Sequence, residues 1–67
     1  MKAGIITLAS GFVDCVIRDL SNAAASLELK GHGLVPEDFW LVIKPELIRR
    51  HCCVLRRERL RLDVKFI

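Results

Sequence analysis

Tyrosine is absent from this chain, and its aromatic residues are Phe12, Phe39, Trp40 and Phe66 alone. So sparse a set, with several members falling at inward positions, offers no stacking platform of the kind single-stranded nucleic acids use. Cysteine is scarce and odd in number. Cys15, Cys52 and Cys53 show no C-x-x-C spacing, which argues against a disulfide framework or a zinc ribbon and fits reduced thiols in the cytoplasm. Adjacent residues of a strand face opposite ways, so Cys52 and Cys53 do not converge on one metal, and His51 shares the orientation of Cys53 alone. Neither a G-x-x-x-x-G-K-[ST] nor a G-x-G-x-x-G phosphate loop occurs. His32 sits in a glycine loop and His51 among arginines, without a nucleophile or carboxylate at a telling spacing. No enzyme activity, metal or cofactor is expected. The uncharged run Ala3 to Val13 is too short to cross a bilayer, and Gly4, Thr7, Ser10 and Gly11 break it as a secretory segment. A first buried strand is the expectation there, with no membrane insertion.

What is present points to one small domain spanning residues 1–67. Its 52% apolar and 28% charged content is that of a packed globular protein. A chain of this size buries only about 60% of the surface its unfolded form exposes, so a protein partner or a homodimer is a natural source of extra stability. Net charge is +3, with the excess late in the chain, in Arg49, Arg50, Arg56, Arg57, Arg59, Arg61 and Lys65. That balance favours anionic partners without distinguishing a nucleotide from a nucleic acid or an acidic protein, and a solvated basic face explains it as well.

Helix propensity alone would allow helices over 18–29 and 46–62, but alternation is the stronger signal. In Leu60-Arg61-Leu62-Asp63-Val64-Lys65-Phe66 apolar and charged residues alternate strictly, as a strand with one wet face requires. The same rule turns Ala25, Leu27 and Leu29 inward against Ser26, Glu28 and Lys30, and Phe39, Leu41 and Ile43 inward against Trp40, Val42 and Lys44. Ser10-Gly11 separates strands near Ala3 to Ala9 and Phe12 to Arg18, Gly31-His32-Gly33 with Pro36 forms a loop, Pro45-Glu46 a turn, and Arg57-Glu58 divides the last two runs. Six short strands at nearly hairpin spacing predict an all-β fold, a small antiparallel barrel or sandwich.

One stretch carries more than architecture. Cys15-Val16-Ile17-Arg18-Asp19-Leu20-Ser21, with Ala24 following Asn22 and Ala23, sets an acid, a hydroxyl and a small residue at fixed offsets where the alternation breaks. It resembles the D/N-x-S-x-x-G element of PilZ domains, with Ala24 in place of glycine. The order C-x-I-R-D-L-S, A-x-L-E-L, V-P-E-x-F-x-L-x-I, R-R-x-C-x-V-x-R-R and L-x-V-x-F extends the resemblance over about residues 3–66. It implies a six-stranded antiparallel β-barrel of the compact single-domain type, a bacterial regulatory module that binds cyclic di-GMP and relays the signal to a partner.

By that resemblance Asp19 accepts from a guanine N1–H and N2–H edge, Ser21 donates to a phosphate oxygen, and Arg18 and Asn22 complete the ligand loop. The family's upstream R-x-x-x-R motif has no counterpart, since no arginine precedes Arg18 and Lys2 lacks the bidentate, stacking guanidinium. The resemblance therefore implies cyclic di-GMP binding that is weakened or lost. Ala24 either narrows the loop or changes its turn. Arg56 stands where relatives often have an aromatic residue and Asp63 where glycine is usual, both adding charge to the rim.

The plain structural alternatives are specific. Asp19, Ser21 and Asn22 also suit a self-bonded turn, and Arg18 a solvated strand position. Trp40 is expected outward beside Val42, as a docking anchor or a cover over a barrel mouth. A ligand-independent protein-interaction adaptor, and a small basic nucleic-acid-binding barrel, are the competing functions.

Overall fold

The computed structural model describes residues 1–31 and 34–67, so His32 and Gly33 of the expected glycine loop lie outside the described residues. Six strands form: β1 (Lys2–Leu8), β2 (Gly11–Leu20), β3 (Ala24–Leu29), β4 (Asp38–Ile43), β5 (Ile48–Glu58) and β6 (Arg61–Phe66). No helix occupies 18–29 or 46–62, where alternation outweighs propensity because each strand buries one face.

Neighbours pair antiparallel in the order β1-β2-β3-β6-β5-β4, and the sheet closes on itself into a barrel. It consists of two three-stranded meanders, β1–β3 and β4–β6, joined along the seams β1–β4 and β3–β6. Closure removes the exposed edges that would otherwise invite aggregation. Every strand sends a side chain to the interior: Ile6, Cys15, Ile17, Leu27, Leu41, Cys52, Leu62 and Val64 are each less than 2% exposed. Gly4 belongs to the same inward row. A Cβ there would lie 3.1 Å from both Cys15 Sγ and Ile17 Cδ1, so this position admits Ile17 only because it has no side chain.

Three boundaries differ from the sequence expectation. β2 runs through Asp19 and Leu20, so the turn is confined to residues 21–23, because the strand keeps partners on β3 that a local reading cannot see. β5 likewise continues through Arg57 and Glu58, and the turn falls at Arg59 and Leu60. β1 ends at Leu8, leaving Ala9 to the hairpin loop before Gly11, whose φ of 151° favours glycine. Val35, in the β3–β4 connection, enters the core while Leu34 beside it is exposed.

One end of the barrel is closed by residues 21–23 and the last strand. Phe66 N–H donates to the Ala23 carbonyl at 2.8 Å, Arg50 Nη2 donates to the Asn22 carbonyl at 3.1 Å, and the Arg50 guanidinium lies 4.1 Å from the Phe66 ring centroid. At the same end Lys2 Nζ donates to Glu46 Oε1 at 2.8 Å, and that bond holds the Glu46 carboxyl below its ordinary range. Among the described residues no buried side-chain nitrogen or oxygen lacks a partner. No helix among them is long and apolar enough to cross a membrane.

Candidate functional site

Two β-bulges shape the outer wall. In β2 the register shifts between Ile17 and Asp19, so Arg18 is an extra residue opposite β3, and in β5 it shifts between Val54 and Arg56, so Leu55 is the extra residue opposite β6. A bulge bends its strand and re-aims the flanking side chains. Between the two, Asp19 pairs with Ser26, Ser26 with Asp63, and Asp63 with Arg56, a continuous outward row over β2, β3, β6 and β5. Consecutive members stand one strand spacing apart, so Asp19 and Asp63 lie roughly 10 Å from each other with Ser26 between them.

A groove of about 340 Å³ opens along this row, lined by Asp19, Leu20, Ser21, Ser26, Leu55 and Asp63 together with Ala24, Ala25 and Val64. Its walls are mainly apolar. Leu20, at the end of β2 opposite the inward Ala25, and Leu55, the β5 bulge residue, are 44% and 60% exposed. Polar character comes from the carboxylates and two hydroxyls. This volume falls near the lower end of the roughly 300–1,000 Å³ range of small-molecule sites, enough for one planar ring system.

Ser26 shows how tertiary pairing alters a sequence expectation. It faces outward as its alternation requires, yet it is buried, and Arg61 Nε donates to its Oγ at 3.3 Å. Ser21 is committed to its own turn. Its Oγ accepts from the amides of Ala23 and Ala24 at 3.3 and 3.1 Å and donates to the Ala24 carbonyl at 3.2 Å, while its backbone N–H donates to the same carbonyl at 2.9 Å. The hydroxyl proton is used inside the loop.

Of the sequence-expected site residues, Asp19 and Ser21 line the groove together with Ala24. Arg18 and Asn22 do not line it. Arg18, the bulge residue, points to solvent with Nη1 3.7 Å from Glu28 Oε1, and Asn22 contributes its backbone carbonyl to Arg50. Ala24 opens β3 in ordinary backbone, without a positive φ. Ser26, Leu55 and the groove-lining place of Asp63 escape sequence reading because the β3–β6 and β5–β6 registers bring them together. The alternation that turns Asp63 outward was the available signal; its neighbour on β3 was not.

The late arginines do not gather into one stripe. Arg49 lies over the Trp40 ring at 4.8 Å, Arg50 caps Phe66, Arg56 is 3.7 Å from Glu58, Arg57 is 3.5 Å from Glu37, and Arg61 holds Ser26. Trp40 stands outward as expected, on the barrel's side and not over a mouth, stacked on His51 with ring centroids 4.8 Å apart and an interplanar angle of 11°. Cys15 and Cys52 are buried and free, and Cys53 is half-buried on the other face of its strand. Among the described residues no group of three or more His, Cys, Asp or Glu side chains converges to hold a metal ion.

Fold and groove together define the class: a closed six-stranded antiparallel barrel with an apolar, carboxylate-bearing recess on its wall. No protein-family model, curated protein or solved structure matches the chain.

Proposed function

We propose that this chain is a PilZ-like, non-catalytic regulatory module in cyclic di-GMP signalling, working in the reducing cytoplasm with its own affinity for the dinucleotide weakened. The observation that carries the proposal is that Asp19, Ser21 and Ala24, the residues of the D-x-S-x-x-A stretch, line a single groove on the outside of a six-stranded barrel. In this reading Asp19 accepts two hydrogen bonds from one guanine edge, and Leu20 and Leu55 sandwich or flank the ring. Charge-assisted bonds to a carboxylate are the stronger kind and fix the orientation of the base.

The absent R-x-x-x-R arginines are the first cause of the weakness, and Asp63 adds a local one. It puts a second carboxylate in the recess, where a doubly anionic ligand pays Coulomb repulsion and a protein partner's arginine or lysine gains attraction. That same residue therefore supports the second reading, an adaptor whose groove receives a basic side chain of a partner protein.

Titration calorimetry with cyclic di-GMP at near-physiological salt separates the two. Weak stoichiometric heat is expected, lost in Asp19→Ala and strengthened about 3- to 10-fold in Asp63→Gly, where one repulsive charge has gone. Absence of heat in both the native chain and Asp63→Gly at roughly millimolar ligand overturns direct capture and leaves the adaptor.

A further inference from the structure

The wall centred on β1 and β4, the two strands that contribute nothing to the groove, has its own pattern, independent of any nucleotide. Over β2, β1, β4 and β5 the outward side chains form two rows in register. One is Phe12, Thr7, Trp40, His51; the next is Asp14, Ile5, Val42, Arg49. Phe12 is 67% exposed and Trp40 42%, while Ile5 and Val42 are half-buried between them. The Trp40 indole is already fixed, stacked on His51 and covered by Arg49, while Thr7 Oγ1 donates to the Trp40 backbone carbonyl at 2.9 Å. An aromatic held in place before docking loses little entropy when it docks.

The second row is electrically polar. Asp14 is exposed at its β2 end and Arg49 at its β5 end, and among the described residues neither forms an ion pair within its own chain. Consider a second copy laid face to face on this wall, related by a twofold axis that runs parallel to the strands between β1 and β4. Each row then meets its own row reversed. Asp14 opposes Arg49 at both ends, Ile5 opposes Val42, Phe12 opposes His51 and Thr7 opposes Trp40, each contact made twice. Such self-complementarity is the requirement for an isologous interface, and face-to-face sheets with nearly aligned strands are a standard packing mode. A partner of a single charge sign would leave one end of the row opposed.

We infer that this wall is a homodimer interface whose occupant is a second copy of the chain. The wall is convex and the molecule measures only 25 × 21 × 21 Å, so contact centres on β1 and β4 and the area falls at the low end for specific interfaces. A micromolar monomer–dimer equilibrium is the consequence.

Sedimentation velocity from roughly 5 µM to roughly 1 mM reads that equilibrium directly. Asp14→Arg and Arg49→Asp each set like charges against each other at both ends and should weaken the dimer at least about tenfold. An equimolar mixture of the two variants restores opposite charges at both ends and should reassociate. Circular dichroism checks that each variant is folded, and Phe12→Ser provides an uncharged variant expected to weaken association as well. Asp19→Ala, in the groove, should leave the dimer unchanged, so this inference and the nucleotide reading fail separately. A native chain monomeric throughout, a dimer indifferent to both reversals, or variants that do not reassociate on mixing would each overturn it.

Discussion

Single side chains show most clearly what a local reading reaches. The inward rows follow from alternation, and so does the outward placement of Trp40 and Val42, because side-chain direction in a strand depends only on parity. Gly4 is different. Its position among inward residues is legible, but its need to be glycine arises from Ile17 and Cys15 on the neighbouring strand, which approach to 3.1 Å of where a Cβ would stand. Gly4→Ala should therefore overpack the core and cost about 1–2 kcal/mol, read as a lower urea midpoint with an unchanged slope. Ser21 is a similar case: its residue type announces a ligand loop or a turn equally, and its hydrogen bonds to Ala23 and Ala24 are those of the turn. Ala24 lines the groove in ordinary backbone, without a positive φ.

At the level of strands and turns, existence and order were legible and the ends were not. Asp19 and Leu20 carry a turn-like signal, yet β2 holds them because Asp19 pairs with Ser26 and Leu20 with Ala25 on the adjacent strand. The bulges at Arg18 and Leu55 have no local signature either; they exist because one strand carries a residue more than its partner between fixed pairs. The 21–23 turn depends on a distant residue, Arg50, whose guanidinium bridges the Asn22 carbonyl and the Phe66 ring. Arg50→Ala should leave the barrel folded but speed amide exchange at Ala23 and Ala24 by roughly fivefold, the loss of about 1 kcal/mol of local protection, as amide-resolved hydrogen exchange will show.

For the molecule as a whole, closure buries thiols that an open sheet would leave wet. Burial pushes Cys15 up to about 11, with nearby Asp14 adding to the effect, and pushes Cys52 up to about 11 against the opposing influence of Arg50. In the unfolded chain the same thiols lose their protons near 9.0. Between those values the folded state holds more protons than the unfolded one, so stability falls as pH rises; the contribution is intact below 9 and gone above 11. The loss should approach about 2 kcal/mol per thiol, measured by urea unfolding from pH 8 upward, and Cys52→Ala should halve the slope. Global charge behaves differently from its sequence impression. The late arginines looked like one basic run, but winding β5 and β6 around a barrel sends them to different walls, and four of them sit on a carboxylate or an aromatic ring.

Alternation and punctuation along the chain were enough to specify six strands and the inner faces of the third, fourth and sixth, because each of these depends on residues close in sequence. The seams β1–β4 and β3–β6 were settled by closure of the barrel, where the interior fills only if distant strands meet. Those seams place Asp63 two strands from Asp19 and set Trp40 in one row with Phe12, so the groove and the wall centred on β1 and β4 are products of pairing at long range. Parity is a property of a single strand; adjacency is a property of the closed sheet.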